Sequence, residues 1–393
     1  MRIFLISGNY PPTPCGIGDH THRLARELAQ RGYRVSIYTS QTGTAAVRNM
    51  VDEKGLEVFP LASTWDHSEI RRILELAHRY PPQLIHIQYH PASFRWQPTM
   101  NLLPRLIKRF LRPTGPKVVV TLHELAGPRF FFFPPLIRRL WLLPLLASSD
   151  AIIVTNRRDL KFLGRVPFLT KKLHLIPLAS NVDFTPLAPA DRQALRRRLG
   201  IREGEWLLVR FGFVHNLKTS FIPELLKSQR MLLDQGYPLK LLLLGDISKE
   251  NQVCIELLCR RLGVLDRVLL TGYLPPPQVS AYLQASELAI QLYPEGVSEK
   301  RTALHAVMNH GIPVIALGRS TDPFPFLHQE NVLLIPSPRP NHIAEAVVQL
   351  ITEPNLRQRI ARNAPKVLAD SRWDRIGQQT DALYRSLLTE DSP

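Results

Sequence analysis

Residues 1–39 read MRIFLISGNYPPTPCGIGDHTHRLARELAQRGYRVSIYT. Arg2–Ser7 is a short apolar run of strand length. Residues 9–18 hold three prolines and two glycines, which makes them a turn. Residues 19–31 then place Leu24, Leu28 and the alanines on one helical face, and Gly32 ends the helix. Residues 33–39 form a second apolar run. Strand, turn, helix, strand is the unit from which parallel sheets are wound.

The pattern continues outward. Residues 56–60, 84–88, 117–122, 151–155 and 173–177 are further short apolar runs, and helical patterns lie near 68–79 and 136–147. Apolar runs without strict alternation predict strands covered on both faces. Residues 181–191, NVDFTPLAPAD, are polar and proline-containing, and the pattern restarts beyond them at 206–213, 239–245, 268–270, 288–292, 313–317 and 332–335. The expected division is therefore 1–187, 188–372 and a closing segment 373–393, with two doubly wound α/β domains. A chain of 393 residues suits two domains, and 45% hydrophobic residues can fill two cores.

Composition narrows the function classes. Three cysteines, Cys15, Cys254 and Cys259, give no disulfide framework and no metal knuckle, which points to a reducing cytoplasm. No secretory signal and no membrane span are expected. The net charge is +17, of which residues 1–187 carry an excess of +13 and the remainder +4. Between Leu76 and Ser149 the only acid is Glu124. Such a one-sided basic field suits an anionic partner. No nucleic-acid module accompanies it, so nucleic acid is not the expected partner. Thr99 through Arg112 (TMNLLPRLIKRFLR) puts Met100, Leu103, Leu106, Ile107, Phe110 and Leu111 on one stripe opposite four basic residues. This is the pattern of an interfacial helix, and equally of a helix packed on a sheet. The aromatic and basic segment from Arg129 to Arg139 favours an anionic membrane surface.

Several segments carry candidate chemistry. Gly16 and Gly18 stand between a strand and a helix, where backbone N–H groups can meet an anion; the plain alternative is a tight turn. VVVTLHE delivers His123 and Glu124 to a strand end, where a histidine can donate to a substrate hydroxyl or serve only structure. RFGFVHNLK brings Gly212 and Lys218 after a strand; it is no P-loop, yet a glycine loop with a lysine can cradle phosphate. YPEGVSEKR ends with Ser298 as the expected helix cap and Glu299, Lys300 and Arg301 in the first turn. Two cations beside a helix N-terminus suggest a compensating anion. The chain has no D-x-D, H-E-x-x-H, G-x-S-x-G or complete G-x-G-x-x-G pattern.

Together these pieces resemble the family 4 (group 1) retaining glycosyltransferases of GT-B fold, in which two Rossmann-like domains face each other across a cleft. The likeness runs through LARELAQRGYRVSIYT, VVVTLHE, SSDAIIVTN, HLIPLASNVDFTPL, FGFVHNLK, LLLLGD, LTGYLPPPQVSAYLQASELAI and NHGIPVIA, and closes on the last helix. The resemblance implies that the first domain binds the acceptor and the second a nucleoside diphosphate sugar. Lys218, with Gly212, matches the family's contact to the donor diphosphate, and Gly16 and Gly18 match a second phosphate loop. His123 matches a histidine near the transferred sugar. Gly272 and Tyr273 fall where the nucleobase is held, and Asp19, His20, Gln88 and Tyr89 fall on the acceptor side. Glu295, Gly296, Val297, Ser298, Glu299, Lys300 and Arg301 match the last donor loop.

Two departures stand out. The family's paired glutamates are replaced by Ser298 and Ala306, and Phe213 stands where arginine is common. Lys300 and Arg301 are then expected to supply charge to the diphosphate, and Glu295 or Glu299 to replace a lost carboxylate. The expected activity is hexose transfer to a lipid-linked or glycan acceptor, with no metal and no cofactor, on the cytoplasmic face of a membrane. A non-catalytic nucleotide-sugar-binding protein and a sugar-nucleotide epimerase remain alternatives.

Overall fold

The computed structural model describes residues 1–13, 15–41, 50–51, 56–111, 115–125, 141–214, 216–318 and 325–389. The chain forms two compact units. The first is Met1–Ala179 with Ser371–Pro393, and the second is Ser180–Asp370.

In the first unit the strands are β1 (Arg2–Ser7), β2 (Arg34–Ser40), β3 (Met50–Val51), β4 (Glu57–Ala62), β5 (Leu84–Tyr89), β6 (Lys117–Leu122), β7 (Ala151–Val154) and β8 (Leu173–Leu175). Their spatial order is β3-β4-β2-β1-β5-β6-β7-β8. All pair in parallel except β3 with β4. The helices are α1 (Gly16–Gln30), α2 (His67–Arg79), α3 (Leu103–Phe110), α4 (Leu143–Ser148) and α5 (Arg157–Leu163). Side chains alternate across the sheet. Phe4 and Ile6 of β1 join a core with α2, α3 and α4 on one face, whereas Ile3 and Leu5 join Leu24, Ala25 and Leu28 of α1 on the other.

The second unit repeats the plan with α6 (Pro189–Arg198), β9 (Trp206–Phe211), α7 (Ile222–Asp234), β10 (Leu239–Leu244), α8 (Lys249–Leu262), β11 (Val268–Leu270), α9 (Pro276–Ala285), β12 (Leu288–Gln291), α10 (Thr302–Asn309), β13 (Val314–Leu317), β14 (Leu333–Ile335), α11 (Pro340–Thr352) and α12 (Pro354–Asn363). Its sheet is parallel throughout, in the order β11-β10-β9-β12-β13-β14. Each sheet reverses its winding once, at β1/β5 and at β9/β12. Ligands of such sheets bind beyond the carboxyl ends of the strands at these switch points.

The division differs from the expected 187/188, because the linker already belongs to the second unit. Val182 lies in that unit's core, the Thr185 amide donates to Ser280 Oγ at 3.0 Å, and the Leu187 amide donates to Gln284 Oε1 at 3.0 Å. A polar, proline-containing stretch looks like a free linker in sequence, yet here its backbone is pinned to α9.

The expected amphipathic helix at 99–112 also differs. Pro98–Leu102 is a 3-10 turn and α3 follows. Met100, Leu103 and Ile107 are fully buried under the sheet, while Leu106 is half-buried and Phe110 is exposed. Most of the stripe is therefore core, with Phe110 and the exposed Arg105 and Arg109 left outside. Arg129 to Arg139 lies outside the described residues, as does Arg112.

The last helix, α13 (Trp373–Thr389), returns to the first unit and packs on α1. Trp373, Ile376, Leu383, Tyr384 and Leu387 enter the core beneath β1 and β2. Arg31 donates from Nη2 to the Asp374 carbonyl at 2.9 Å, and the Tyr33 hydroxyl donates to Asp381. The Arg31 guanidinium lies over Gly377, where an added Cβ would stand 2.7 Å from Nη1. Ile376 is 1% exposed. Truncation of such a residue removes buried area and leaves a cavity, so Ile376→Ala is expected to cost about 2–5 kcal/mol. Urea unfolding followed by tryptophan fluorescence will read this as a lower midpoint at unchanged slope.

Candidate functional site

The first candidate site is built where β1, β5 and β6 run out. The loop after β1 lies hard against the loop after β5, since an added Cβ on Gly8 would sit 2.2 Å from the Ser93 carbonyl oxygen. α1 then starts at Gly16, and its N-cap residue, Cys15, makes no side-chain cap bond. The two glycines serve different ends. A Cβ on Gly18 would press within 3.1 Å of the Tyr10 backbone, so Gly18 is there for packing. A Cβ on Gly16 would meet nothing within 4 Å. Of the two, Gly16 is the one with open space among the described residues at the helix N-terminus, the feature an incoming anion requires.

His123 follows β6, and its amide donates to the Tyr89 carbonyl at 3.0 Å. Its Nε2 lies 2.8 Å from Gln88 Oε1. The His20 ring stands edge-on to it, with centroids 5.1 Å apart, and Trp373 backs His20 at 5.0 Å. Burial lowers the pKa of His20 to about 4, so the ring is neutral at physiological pH. Burial raises the pKa of Asp19 to about 6 against the opposing pull of Arg23. Glu124 pairs with His90 at 3.0 Å.

Two residues expected on the acceptor side are placed otherwise. Tyr89 is 2% exposed, packs in the core and donates its hydroxyl to Asn101 Oδ1 at 2.6 Å. Gln88 is fully buried between His86 and His123. Both sit on a strand covered on its two faces, so neither side chain offers a surface to a ligand.

The second candidate site lies beyond β9 and β12. Gly212 adopts φ +121°, open to glycine alone at low cost, and its amide donates to the Leu244 carbonyl at 2.9 Å. Asn216 Oδ1 accepts from the Lys218 amide at 2.9 Å and from the Thr219 amide at 3.3 Å, an Asx turn that presents Lys218. The Lys218 side chain is exposed and has no ion-pair partner among the described residues. Gly272, at φ +69°, bridges to Gly245, and Tyr273 beside it is 52% exposed.

The loop after β12 departs from expectation at its cap. α10 begins at Thr302 with Arg301 as its N-cap residue, so Ser298 through Arg301 precede the helix and are not its first turn. Ser298 instead folds the loop, its Oγ accepting from the Lys300 amide at 3.3 Å and its carbonyl from the Arg301 amide at 3.1 Å. Gly296 turns at φ +83°, and buried Val297 hooks its amide to the Leu317 carbonyl at 3.0 Å. Arg301 donates to Glu295 Oε1 and lies 4.6 Å above the Tyr293 ring. Glu295 is thus committed to Arg301, and Glu299 is half-buried nearby in sequence. Ala306 is fully buried in the core.

Sequence reasoning missed Arg210. It is 6% exposed, donates to the Gly212 carbonyl and, at 3.2 Å, to the Phe213 carbonyl. A charged residue inside the run WLLVRF was the signal that could have found it. Among the described residues no group of three or more His, Cys, Asp or Glu could hold a metal ion. No described helix is long and apolar enough to cross a membrane.

Comparison with known proteins agrees with this architecture. Residues 15–179 match the glycosyl transferase 4-like domain, and residues 191–367 match the glycosyl transferases group 1 family. The chain belongs to the group 1 glycosyltransferases. This glycosyltransferase is 26% identical to the D-inositol 3-phosphate glycosyltransferase of Corynebacterium urealyticum, over 100% of its own length and 98% of that protein. Its structure is similar to sucrose-phosphate synthase from Thermosynechococcus elongatus, with a TM-score of 0.76 at 20% identity and full coverage of both chains. It is also similar to Anabaena HepE in complex with UDP and glucose, with a TM-score of 0.75 at 16% identity, covering 98% and 100%. At those identities the structural likeness speaks to fold: two Rossmann-like domains of GT-B type.

Two predictions follow from the local geometry of this glycosyltransferase. Gly18→Ala is expected to lower its melting temperature, while Gly16→Ala should leave it unchanged; thermal unfolding of the two variants side by side checks this. Asp19 keeps its proton to about pH 6 in the folded chain, against an ordinary aspartate value of 3.8. Its raised pKa favours folding fully only at low pH, and that contribution is lost as pH rises from about 3.8 to about 6. Asp19→Asn is therefore expected to raise the melting temperature at pH 7.5, with the gain vanishing near pH 3.5.

Proposed function

We propose that this glycosyltransferase moves a hexose from a nucleoside diphosphate sugar, with retention and without a metal ion, to a lipid-linked or glycan acceptor at an anionic membrane surface on the cytoplasmic side. The observation that carries the donor half is Lys218, presented by an Asx turn beyond the Gly212 loop at the switch point of the second sheet. A flexible ammonium with no carboxylate partner suits a phosphate, which it meets as a point charge. The N-terminus of α10 and the guanidinium of Arg301 add positive potential from the loop beyond β12. Lys300 shares that loop. Charge developing on a departing diphosphate is then stabilised by fixed cations, the role that a metal takes in other enzymes. UDP bound to HepE, a protein of the same fold, supports this donor class. Retention is the mode that the family resemblance implies.

His123 is the residue we assign to the sugar. It ends β6 at the switch-point side of the first sheet and is half-buried, with one ring nitrogen already fixed by Gln88. A ring so held can orient a sugar hydroxyl without first losing rotational freedom. The acceptor side rests on charge. The first 187 residues carry most of the basic excess. Each Lys or Arg near an anionic leaflet contributes about 1 kcal/mol of attraction. Exposed Phe110 beside Arg109 adds an apolar group to such a surface.

The test is a thermal-shift screen against UDP, GDP and ADP and their hexose conjugates, with EDTA in a parallel series. At one hundred times the dissociation constant, a ligand adds about 2.7 kcal/mol of stability. One nucleotide is expected to stabilise the wild type, with or without EDTA. Lys218→Ala is expected to weaken it by about 1.5–3 kcal/mol, the worth of a charge-assisted hydrogen bond. Should no nucleotide shift the melting curve, the donor assignment fails. Binding without transfer or donor hydrolysis would instead indicate a protein that keeps the fold and has lost turnover.

A further inference from the structure

The centre of the first sheet holds a row of polar side chains where Val, Ile or Leu would pack. His86 and Gln88 of β5 are both fully buried, and so is Tyr384 of α13. His86 Nδ1 lies 2.5 Å from the Tyr384 hydroxyl, and His86 Nε2 lies 2.7 Å from Thr121 Oγ1 and 3.3 Å from Gln88 Nε2. Gln88 Oε1 lies 2.8 Å from His123 Nε2.

The donor and acceptor types fix the direction of every link. An amide oxygen only accepts, so His123 donates from Nε2. An amide NH2 only donates, so His86 Nε2 accepts from Gln88 and from the Thr121 hydroxyl. The His86 proton is therefore on Nδ1, donated to Tyr384. We propose that Tyr384, His86 and Gln88 are positioning residues through which the last helix of the chain sets which nitrogen of His123 carries its proton. The inference rests on the reading that His123 acts at the sugar. The ring nitrogen a histidine presents to a substrate depends on what the other nitrogen is bonded to.

Two observations separate this from a network that merely satisfies itself. An apolar row of the same shape would remove the need for four matched hydrogen bonds, at little or no loss of stability. The row also ends on a half-buried ring rather than on another core group. Burial, with a smaller push from His20, lowers the pKa of His86 to about 3, so the relay ring stays neutral and its tautomer is defined. α13 reaches His123 a second way, through Trp373 and His20, whose rings follow one another at 5.0 and 5.1 Å.

The experiment uses the full chain with 15N-labelled histidine. NMR reports the tautomer of the His123 ring, whose signals are assigned by their loss in His123→Asn, and hydrolysis of UDP-glucose reports kcat and KM. The wild type is expected to hold a single Nε2–H tautomer. Tyr384→Phe, which keeps the ring packed, is expected to give a mixture of tautomers and a roughly tenfold lower kcat at unchanged KM, the size of one lost neutral hydrogen bond. Gln88→Leu breaks the row at another link with α13 untouched, and should give the same mixture. Combining Tyr384→Phe with Gln88→Glu restores an acceptor-only partner and should restore the Nε2–H form. A His123 ring that keeps its single tautomer in Tyr384→Phe and in Gln88→Leu would overturn the proposal, whatever the melting temperatures do. Failure of the wild type to hydrolyse UDP-glucose or bind UDP would count against UDP-glucose as the donor alone, because the tautomer is read without substrate.

Discussion

A parallel strand can pair its backbone only as far as its neighbours run, and beyond its carboxyl end the chain must turn sharply into a helix. That constraint organises both units. At β1 and β9, the strands beside each switch point, the turn is made by a glycine loop, and the next helix opens toward the same edge. The apolar strands need helices on both faces, and the helices must return through loops at the two edges. Polar side chains that stay open to solvent are displayed at the carboxyl edge, as half-buried His123 and exposed Lys218 are.

The constraint also explains which parts of the molecule were legible in sequence. β1, β2, β5, β6 and β9 run as six or seven residues rich in apolar types, so they could be placed from residue type alone. Gly16 and Gly18 look equivalent in sequence. Only the path of Tyr10 over α1 shows that one is there for packing and the other for open space. Tyr89 and Gln88 were placed on the acceptor side by the family resemblance; the structure buries both, and burial is a property of neighbours distant in the chain. The cap of α10 was misplaced for a related reason. Ser298 is a good cap residue by type, but Val297 is drawn to the Leu317 carbonyl, and the helix cannot start until the loop has turned.

The linker and the last helix make the same point about distance. Residues 181–191 look like a free connection because their composition is polar and proline-containing. The backbone of that segment is instead spent on Ser280 and Gln284, about 95 residues further along. The last helix shows an amphipathic pattern, but the pattern cannot say which surface it covers. Its partners on α1 and β5 lie some 300 residues away. Contacts across such separations cost loop-closure entropy, which rises only slowly with length, so they are affordable and invisible to local reading.

The two candidate sites also differ in how they treat charge. At the edge of the first sheet, burial works against ionisation: it lowers His20 and His86 and raises Asp19. Neutral rings and a reluctant carboxylate suit hydrogen bonding to hydroxyl groups. The basic excess of this unit lies elsewhere, on exposed residues such as Arg105, Arg109, Arg157, Arg158, Lys161 and Arg165. At the edge of the second sheet the cations stand at the loops themselves. Arg210 is held under the Gly212 turn by two carbonyl groups, and Arg301 is pinned over Tyr293 by Glu295. Arg210 is the more costly of the two, since carbonyl dipoles replace lost hydration less completely than a carboxylate does. A protein with only +4 of excess charge after residue 187 keeps that buried guanidinium where the Gly212 loop begins. The distribution of charge is therefore local in the second unit and diffuse in the first. A diphosphate needs fixed cations within hydrogen-bond reach, whereas an anionic surface needs only their sum.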